Sequence, residues 1–365
     1  MPAEKTKDPT PRELVPPYPR HTYFQDGDGT QLTVGGARHA FKHDAGGFEL
    51  VNAWWLAEAA TLVYDREDFV RERFSNAGLP KVVLIDRAGT QCYVASNNQF
   101  SVIAFRGTES GARNLEEIRQ IVIDVRDDGH FLPTPFGAGG KVHRGFAAAV
   151  NAVWDVAGGL RSHLAAVGGG RSFWFTGHSL GAASATVAAL LAEQSGMHVS
   201  GLYTYGSPRV GNAEFATQFP GVFPGNSGRD YHRFVNERDI VTRVPPEQFG
   251  FRHVGSAHHI EPDGTIKAGE LKGDATPAET GALQGLLGRL ADLARKINVP
   301  GLGGFKLPAG RLPPALEKEI DKLIEKLPHD RIDAELLGRA PDFLKHHVPT
   351  MYSNRIWNEY IKTLP

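Results

Sequence analysis

The sequence predicts an α/β protein with a mainly parallel central sheet and helices on both faces. Strands alternate with helices along most of the chain, at a spacing typical of parallel sheets with crossover helices. A short run of bulky residues, 173–176, leads through the pattern Gly-x-Ser-x-Gly at 177–181 into an alanine-rich helix that continues to Glu193. The 365 residues are 41% hydrophobic and 22% charged, so the chain can bury a large core.

Composition and charge exclude several classes of protein. The 40 basic and 41 acidic residues leave a formal net charge of −1, so no overall field favours nucleic acid or an anionic membrane. The first 20 residues are polar and rich in proline, so no signal peptide is predicted. The sequence contains no apolar run of about 18 residues, so no membrane span is predicted either. Because Cys92 is the one cysteine, a framework of intrachain disulfides is excluded, and Cys92 is interpreted as a small apolar residue in a strand. A cytoplasmic location is the default expectation.

The elements before the Gly-x-Ser-x-Gly pattern follow from periodicity and turn residues. Residues 1–40 are interpreted as an extended, proline-rich lead-in and 41–365 as the folded domain. The predicted elements are helices at 50–65 and 67–76, strands at 81–86, 91–95 and 100–105, a helical piece at 110–125, and one long helix from 142 to about 166. The continuous apolar run at 100–105 indicates a buried strand, and a glycine in the turn before residue 91 indicates a hairpin.

The elements after the pattern change in character near residue 265. Strands are predicted at 202–205 and 231–235, and a last helix at about 341–364. Between them, an insertion at about 265–340 carries leucine and isoleucine at helical spacing in two segments separated by a glycine- and proline-rich joint. We interpret the insertion as a helical cap, with a second lid or a lipid-contacting surface as alternatives.

Ser179 is the candidate nucleophile. A strand, a tight turn and a helix in this order are the setting of a nucleophile elbow, in which glycines at 177 and 181 let strand and helix approach each other without Cβ clashes. The pattern also occurs in ordinary Gly-Ser turns, but its flanks favour the elbow. A serine hydroxyl becomes nucleophilic only when a base takes its proton, so Ser179 requires a histidine and an orienting carboxylate.

Asp239 is the candidate carboxylate. In proteins with such an elbow the acid and then the histidine follow the serine along the chain, at the carboxyl ends of successive strands. Asp239 follows the strand at 231–235 within a short loop, although a simple turn aspartate is the alternative. Asp230 precedes the same strand and would lie at the opposite edge of the sheet.

The residues alone leave the histidine open among 15 candidates. His178 beside the serine is interpreted as a packing residue. Six of the others are considered further: His143, which precedes the serine, His253, His258 and His259 with strand-like apolar flanks, and the late pair His346 and His347. A solvated pair at a helix start is the alternative for the late pair.

The oxyanion formed in acyl transfer requires preorganised N–H donors. The backbone N–H of Leu180, directly after the nucleophile, is one candidate. Thr108 follows the buried strand at 100–105 and is the second, with its N–H and its hydroxyl as possible donors.

Several motifs together resemble the class 3 lipases, also called fungal-lipase-like α/β-hydrolases. They are AFRGT at 104–108, VHRGF at 142–146, GHSLG at 177–181, YGSPRVGN at 205–212 and the Asn-, Asp- and Pro-containing segment 236–246. These motifs extend the resemblance over roughly residues 50–262. It implies an α/β-hydrolase fold and hydrolysis of carboxylic esters, commonly of acylglycerols, without a metal or an organic cofactor.

The resemblance also implies roles for single residues. Ser179 would be the nucleophile and Asp239 its orienting acid, with Thr108 and Leu180 as the oxyanion donors. Family members often place the base about five residues before an aromatic residue in a terminal helix, which selects His347, ahead of Tyr352, over His346. Residues 109–117 would form a lid.

The expected activity is that of a triacylglycerol lipase or carboxylesterase, acting through an acyl-enzyme on a lipid or small ester, with transient contact to a lipid surface. Phospholipase A and aromatic-acid esterase activities are alternatives on the same fold. A catalytically inactive lipid-binding protein is the non-enzymatic alternative. The stretch between Asp239 and His347 is longer than is usual in the family, and the oligomeric state stays open.

Overall fold

The secondary structure follows from a computed structural model, which describes residues 4–13, 16–107, 133–137, 139–167, 170–222, 230–269 and 342–365. The helices are α1 (Leu50–Leu62), α2 (Glu67–Asn76), α3 (Arg144–Trp154), α4 (Leu160–Val167), α5 (Leu180–Gln194), α6 (Ala213–Val222), α7 (Asp342–Lys345) and α8 (Pro349–Lys362). The strands are β1 (Lys81–Arg87), β2 (Thr90–Ser96), β3 (Phe100–Phe105), β4 (Pro133–Pro135), β5 (Lys141–His143), β6 (Ser172–His178), β7 (Val199–Tyr205), β8 (Gly211–Asn212), β9 (Asp230–Asn236), β10 (Phe251–Arg252), β11 (Ser256–Ile260) and β12 (Ile266–Ala268).

The central sheet is mainly parallel, as the sequence predicts. Within the described ranges it has eight strands in the order β1-β2-β3-β6-β7-β9-β11-β12. The run from β3 to β11 is parallel, and the outer pairs are antiparallel. Parallel strands end at the same edge of a sheet, so the carboxyl ends of β6 and β9 lie on one side of the molecule. Strands β10, β8, β5 and β4 form a smaller antiparallel sheet.

The two faces of the sheet carry separate layers of helices. Side chains alternate along a strand, so Phe173 and Phe175 of β6 pack in one hydrophobic cluster and Trp174 in the other. The first cluster includes α3 and α5, and the second includes α1 and most of the apolar residues of α8. Twelve of the 13 residues of α1 and 11 of the 15 residues of α5 are buried, which explains why both sequences are mostly apolar and not apolar on one face alone. This arrangement confirms the α/β-hydrolase fold.

The described residues of the lead-in form turns, bends and one isolated bridge between Gln25 and Gln31, and several of them pack against α1. Tyr23, Phe24, Leu32 and Val34 are buried in the same cluster as α1. The packing therefore continues across residue 40.

Two of the predicted helices are interrupted. The predicted helix at 142–166 is wrong as one unit: the chain forms β5, then α3, leaves the helical conformation at Asp155, and resumes as α4. The predicted last helix is divided between α7 and α8, because Val348 is extended (φ −66°, ψ 125°) ahead of Pro349. The interruption contains His347.

Several predicted segments lie outside the described residues. They are the helical piece at 110–125, the lid at 109–117, Thr108 and most of the insertion at 265–340. The described start of the insertion forms β12, which pairs with β11, so this part is a strand. Among the described helices, none combines the length with the apolar character that a membrane span requires.

Candidate active site

Ser179 lies at the turn between β6 and α5, with backbone angles of φ +58° and ψ −126°. Positive φ is costly for a residue with a side chain and persists only where the surroundings enforce it. The Ser179 N–H donates to the Tyr205 carbonyl on the neighbouring strand (2.9 Å). A Cβ on Gly177 would lie 2.4 Å from the Gly181 carbonyl, and one on Gly181 would lie 2.3 Å from the Phe105 oxygen. Both glycines are therefore required for the elbow.

His347 connects Ser179 with Asp239. Its Nε2 lies 2.8 Å from Ser179 Oγ, and its Nδ1 lies 2.8 Å from Asp239 Oδ2. All three side chains are buried. A carboxylate only accepts, so Nδ1 carries a proton toward Asp239 and Nε2 of the neutral ring is left to accept from the serine hydroxyl. The arrangement has the geometry of a nucleophile, a base and an orienting acid.

Asp239 is held by donors on both carboxylate oxygens. Oδ1 accepts from the Val241 N–H (2.9 Å) at the start of a short 3-10 turn, Ile240–Arg243. Oδ2 also accepts from the Tyr352 hydroxyl (2.5 Å), which projects from α8. Sequence reasoning used Tyr352 only to select the histidine and missed this bond. The five-residue spacing between His347 and Tyr352 was its only signal.

The other histidine candidates contact other partners. His143 Nδ1 accepts from the Gly145 N–H (3.2 Å), His253 Nε2 donates to the Thr242 carbonyl (2.7 Å), His258 Nε2 lies 2.9 Å from His232 Nδ1, and His259 Nε2 donates to the Glu237 carbonyl (3.0 Å). Burial lowers the pKa of His143 and the pKa of His258 to about 4, so both rings are neutral near pH 7. His346 Nε2 lies 3.2 Å from a Glu237 oxygen, so the ring of His346 points to a different carboxylate from that of His347.

Of the two oxyanion donors that the sequence predicts, the structure describes Leu180. Leu180 is the first residue of α5, and the first N–H groups of a helix have no acceptor within it, so its N–H is available beside the nucleophile. A Cβ on Gly181 would lie 2.8 Å from the Gly107 nitrogen, so the chain that leaves β3 passes next to the elbow. Thr108, the next residue, lies outside the described part of the chain.

The YGSPRVGN motif holds the loop that follows Asp239. Arg209 is buried, and its Nη1 donates to the carbonyls of Arg243 and Pro245 (2.8 Å each). Gly206 has a φ of +58°, and a Cβ there would lie 2.8 Å from Asp239 Oδ2 and 2.9 Å from His347 Nδ1. The motif thus leaves room for the side chains of Asp239 and His347 and anchors the chain next to them. Sequence reasoning assigned Arg209 no role.

A metal site was not expected from the sequence. In the part of the chain that the structure describes, no group of three or more His, Cys, Asp or Glu side chains could hold a metal ion.

Comparisons with known proteins agree with the motifs. Residues 102–249 match the family model described as Lipase (class 3). This segment includes Ser179 and Asp239 and ends before His347.

Two curated relatives are lipases. A lipase from Rhizomucor miehei is 36% identical over 172 residues, which cover 43% of this chain and 41% of the relative. Secreted mono- and diacylglycerol lipase 1 from Fusarium solani is 38% identical over 156 residues, 41% of each protein. The chain therefore spans about two fifths of the length of these relatives. Among solved structures, the native Rhizomucor miehei lipase propeptide complex is 28% identical, with coverage of 59% of this chain and 68% of that chain and a TM-score of 0.42.

Proposed function

We propose, from the match of residues 102–249 to the class 3 lipase family model, that the protein is a serine hydrolase that cleaves carboxylic esters of lipids. Its activity would be that of a triacylglycerol lipase or carboxylesterase. The observation that carries the proposal is the chain of contacts from Ser179 through His347 to Asp239 at a nucleophile elbow. The family model ends at residue 249, so the contacts of His347 with Ser179 and Asp239 are evidence independent of the family match.

In the proposed acylation step, His347 Nε2 takes the proton of the Ser179 hydroxyl while Oγ attacks the ester carbonyl. The carbonyl π electrons move to oxygen, and the resulting oxyanion accepts hydrogen bonds from the Leu180 N–H and, as we propose from the sequence, from Thr108. Asp239 stabilises the imidazolium and holds its orientation. Collapse of the tetrahedral intermediate expels the alcohol, which takes the proton from Nε2, and leaves an acyl-serine.

In the proposed deacylation step, the same histidine removes a proton from water as the water attacks the acyl-serine carbonyl. Collapse of the second tetrahedral intermediate releases the carboxylic acid, and the Ser179 oxygen recovers its proton from Nε2. The chemistry of both steps uses side chains and backbone N–H groups of this chain.

The substrate class is proposed from the relatives. One is named a lipase and another a secreted mono- and diacylglycerol lipase, which favours acylglycerol esters. Such substrates gather at lipid–water surfaces, so we further propose that the protein contacts a lipid surface transiently during turnover.

Labelling and hydrolysis test the proposal together. The wild-type protein and Ser179→Ala are treated with a fluorophosphonate probe, and with nitrophenyl esters of increasing chain length, emulsified triacylglycerol and phospholipid vesicles. We expect labelling and ester hydrolysis that both depend on Ser179. Absence of both would contradict the proposal and favour an inactive lipid-binding protein. Activity restricted to phospholipid would redirect the substrate class to that of a phospholipase A.

A further inference from the structure

The main-chain carbonyls of His346 and His347 each accept a hydrogen bond from a side chain in a distant segment. The His346 carbonyl accepts from Asn236 Nδ2 (2.8 Å), on the last residue of β9, ahead of Asp239. The His347 carbonyl accepts from His178 Nε2 (2.6 Å), on the residue before Ser179. The main chain of the base is thus tied to the strand of the acid and to the elbow of the nucleophile.

Regular secondary structure provides few N–H donors for these two carbonyls. His346 and His347 follow a helix of four residues, and the last carbonyls of a helix have no partner within it. The His346 and Val348 N–H groups donate back to the carbonyls of Asp342 and Lys345, which closes α7. Pro349, which begins α8, has no N–H to donate. Side chains from elsewhere must therefore satisfy these oxygens if they are buried.

The orientation of the Asn236 amide follows from its neighbours. Asn236 is fully buried, and Arg355 Nη1 on α8 lies 2.9 Å from its Oδ1. A guanidinium only donates, so the amide oxygen must face Arg355 and the amide nitrogen must face the His346 carbonyl. Glu237, the next residue, accepts from Arg355 Nη2 (2.6 Å) and contacts His346 Nε2 (3.2 Å). The carbonyl contact is therefore part of a network that joins the end of β9 to α7 and α8.

His178 is held in the tautomer that its contact requires. Its Nε2 faces a carbonyl oxygen and must carry the proton, which leaves Nδ1 to accept from the Tyr64 hydroxyl (3.2 Å). Burial, followed by the nearby His347, lowers the pKa of His178 well below its usual value, so the ring stays neutral with one proton. The centres of the His178 and His347 rings lie 4.5 Å apart.

We propose that Asn236 and His178 are positioning residues for the base: they hold consecutive carbonyls of His346 and His347 and thereby keep His347 Nε2 in reach of the Ser179 hydroxyl. The inference rests on the proposed hydrolase function. It assigns a purpose to two residues that do not themselves contact Ser179 Oγ through their side chains. A displacement of about 1 Å at a reacting group can cost on the order of 100-fold in rate, so such positioning has a measurable effect.

Asn236 is tested against a matched asparagine elsewhere. Asn52 in α1 is equally buried, donates to the Lys42 carbonyl (2.9 Å) and accepts from the Lys42 N–H (2.8 Å). For Asn236→Ala we expect a fall in kcat of about 10- to 100-fold with KM changed by less than about 3-fold. We expect Asn52→Ala to keep kcat within about 2-fold of wild type, when each variant is assayed well below its own melting temperature. Asn236→Asp keeps an oxygen for Arg355 but loses the N–H donor, so we expect it to be as impaired as Asn236→Ala.

His178 is tested in the same way. His178→Phe keeps a ring but removes the donor, and we expect a similar fall in kcat at nearly unchanged KM. His258→Phe, a ring exchange in β11 next to Phe48, is the control, and its kcat is expected to stay close to that of wild type.

Hydrogen exchange provides a readout without substrate. We expect the amides of residues 345–348 to exchange faster in Asn236→Ala and His178→Phe than in wild type, Asn52→Ala and His258→Phe. Unchanged exchange there, or a kcat no lower than in the matched controls, would overturn the positioning roles. A wild-type protein inert to the phosphonate probe would instead contradict the proposed function itself. The two failures are therefore distinguishable.

Discussion

Ser179 shows at the residue scale how the site depends on an unfavourable local conformation. Its positive φ costs on the order of 1–3 kcal/mol. The cost is met because β6 and α5 are both buried, and the two glycines of the elbow allow them to meet. In return, the hydroxyl lies at the carboxyl edge of the sheet, opposite His347.

Replacing Ser179 with alanine tests the nucleophile. We expect ester turnover to fall by about 10⁴-fold or more, because the members of a triad act as a unit. Folding should be preserved, since the change removes one oxygen atom. Turnover rates and melting temperature of purified Ser179→Ala check this, and a variant that keeps a large share of activity would contradict the proposed role.

Alanine at each of the two adjacent histidines tests the base. His347→Ala should lose about as much activity as Ser179→Ala. His346→Ala should lose less than about tenfold, because the His346 ring contacts Glu237 while its main-chain carbonyl, which Asn236 holds, is retained. The kcat values of both variants on one soluble ester show which histidine is required. If His346→Ala lost more activity than His347→Ala, His346 would be the base.

The interruption between α7 and α8 is the decisive feature at the scale of elements. A continuous helix would place residues 346–348 in the helical ladder and rotate their side chains with it. Pro349 disfavours a helical conformation at Val348, so the chain leaves the helical conformation next to His347. α8 then returns Tyr352 to Asp239 and Arg355 to Asn236.

Pro349→Ala tests whether the proline maintains this break. Removing the ring allows α8 to extend toward α7, so we expect kcat to fall by about 3- to 10-fold with helicity unchanged or slightly higher. Kinetics and circular dichroism measure the two effects. Pro80→Ala, at an exposed position before β1, is the control. An unaltered kcat would show that contacts alone determine where α8 begins.

At the scale of the whole molecule, a buried charged cluster joins the lead-in to α1 and α8. Glu58 of α1 contacts His21 (3.1 Å) and Ser353, and it lies 3.7 Å from the Lys7 ammonium. The same ammonium lies over the rings of Trp54 and Trp357. The Glu58 carboxylate therefore holds α8 through Ser353, the residue after Tyr352.

Acid stability tests this cluster. Burial by itself would raise the pKa of Glu58, but Lys7 and His21 together lower it to about 2. A carboxyl whose folded pKa lies below its unfolded value contributes stability above the unfolded pKa of about 4.3, and the contribution is lost as the pH falls toward about 2. We expect Glu58→Gln to be less stable at neutral pH by on the order of 3 kcal/mol, because Lys7 stays buried without its partner. We also expect it to show a weaker loss of stability between about pH 4.5 and about pH 2.

Urea unfolding across this pH range measures both effects. Glu67→Gln, which removes an exposed pair with Arg71, is the control and should change neither. An acid dependence in Glu58→Gln equal to that of wild type would show that other groups control the acid limit.

Some expectations from the sequence stay predictions. The domain boundaries, the lid at 109–117, the role of Thr108 and the helical character of most of the insertion fall on residues that the structure leaves undescribed or on points that it does not test. The cytoplasmic location likewise stays a prediction.

The sequence by itself determined the features that depend on near neighbours in the chain. The alternation of strands and helices predicted the fold, and the flanks of Gly177 and Gly181 predicted the elbow, because periodicity and turn chemistry are local properties. Chain order placed Asp239 after a strand for the same reason. These inferences needed no knowledge of which remote segments meet.

Tertiary structure shows that His347 reaches Ser179, and it alone decided how His347 is held there. His347 meets Asp239 across a long insertion, and residues 236 and 178 hold carbonyls far away in the sequence. The residues on their own left the histidine open, and only a resemblance singled out His347. The burial of Glu58 and Lys7 also follows from packing against distant elements. Such contacts depend on which remote segments pack together, and local sequence preferences are too weak to specify them.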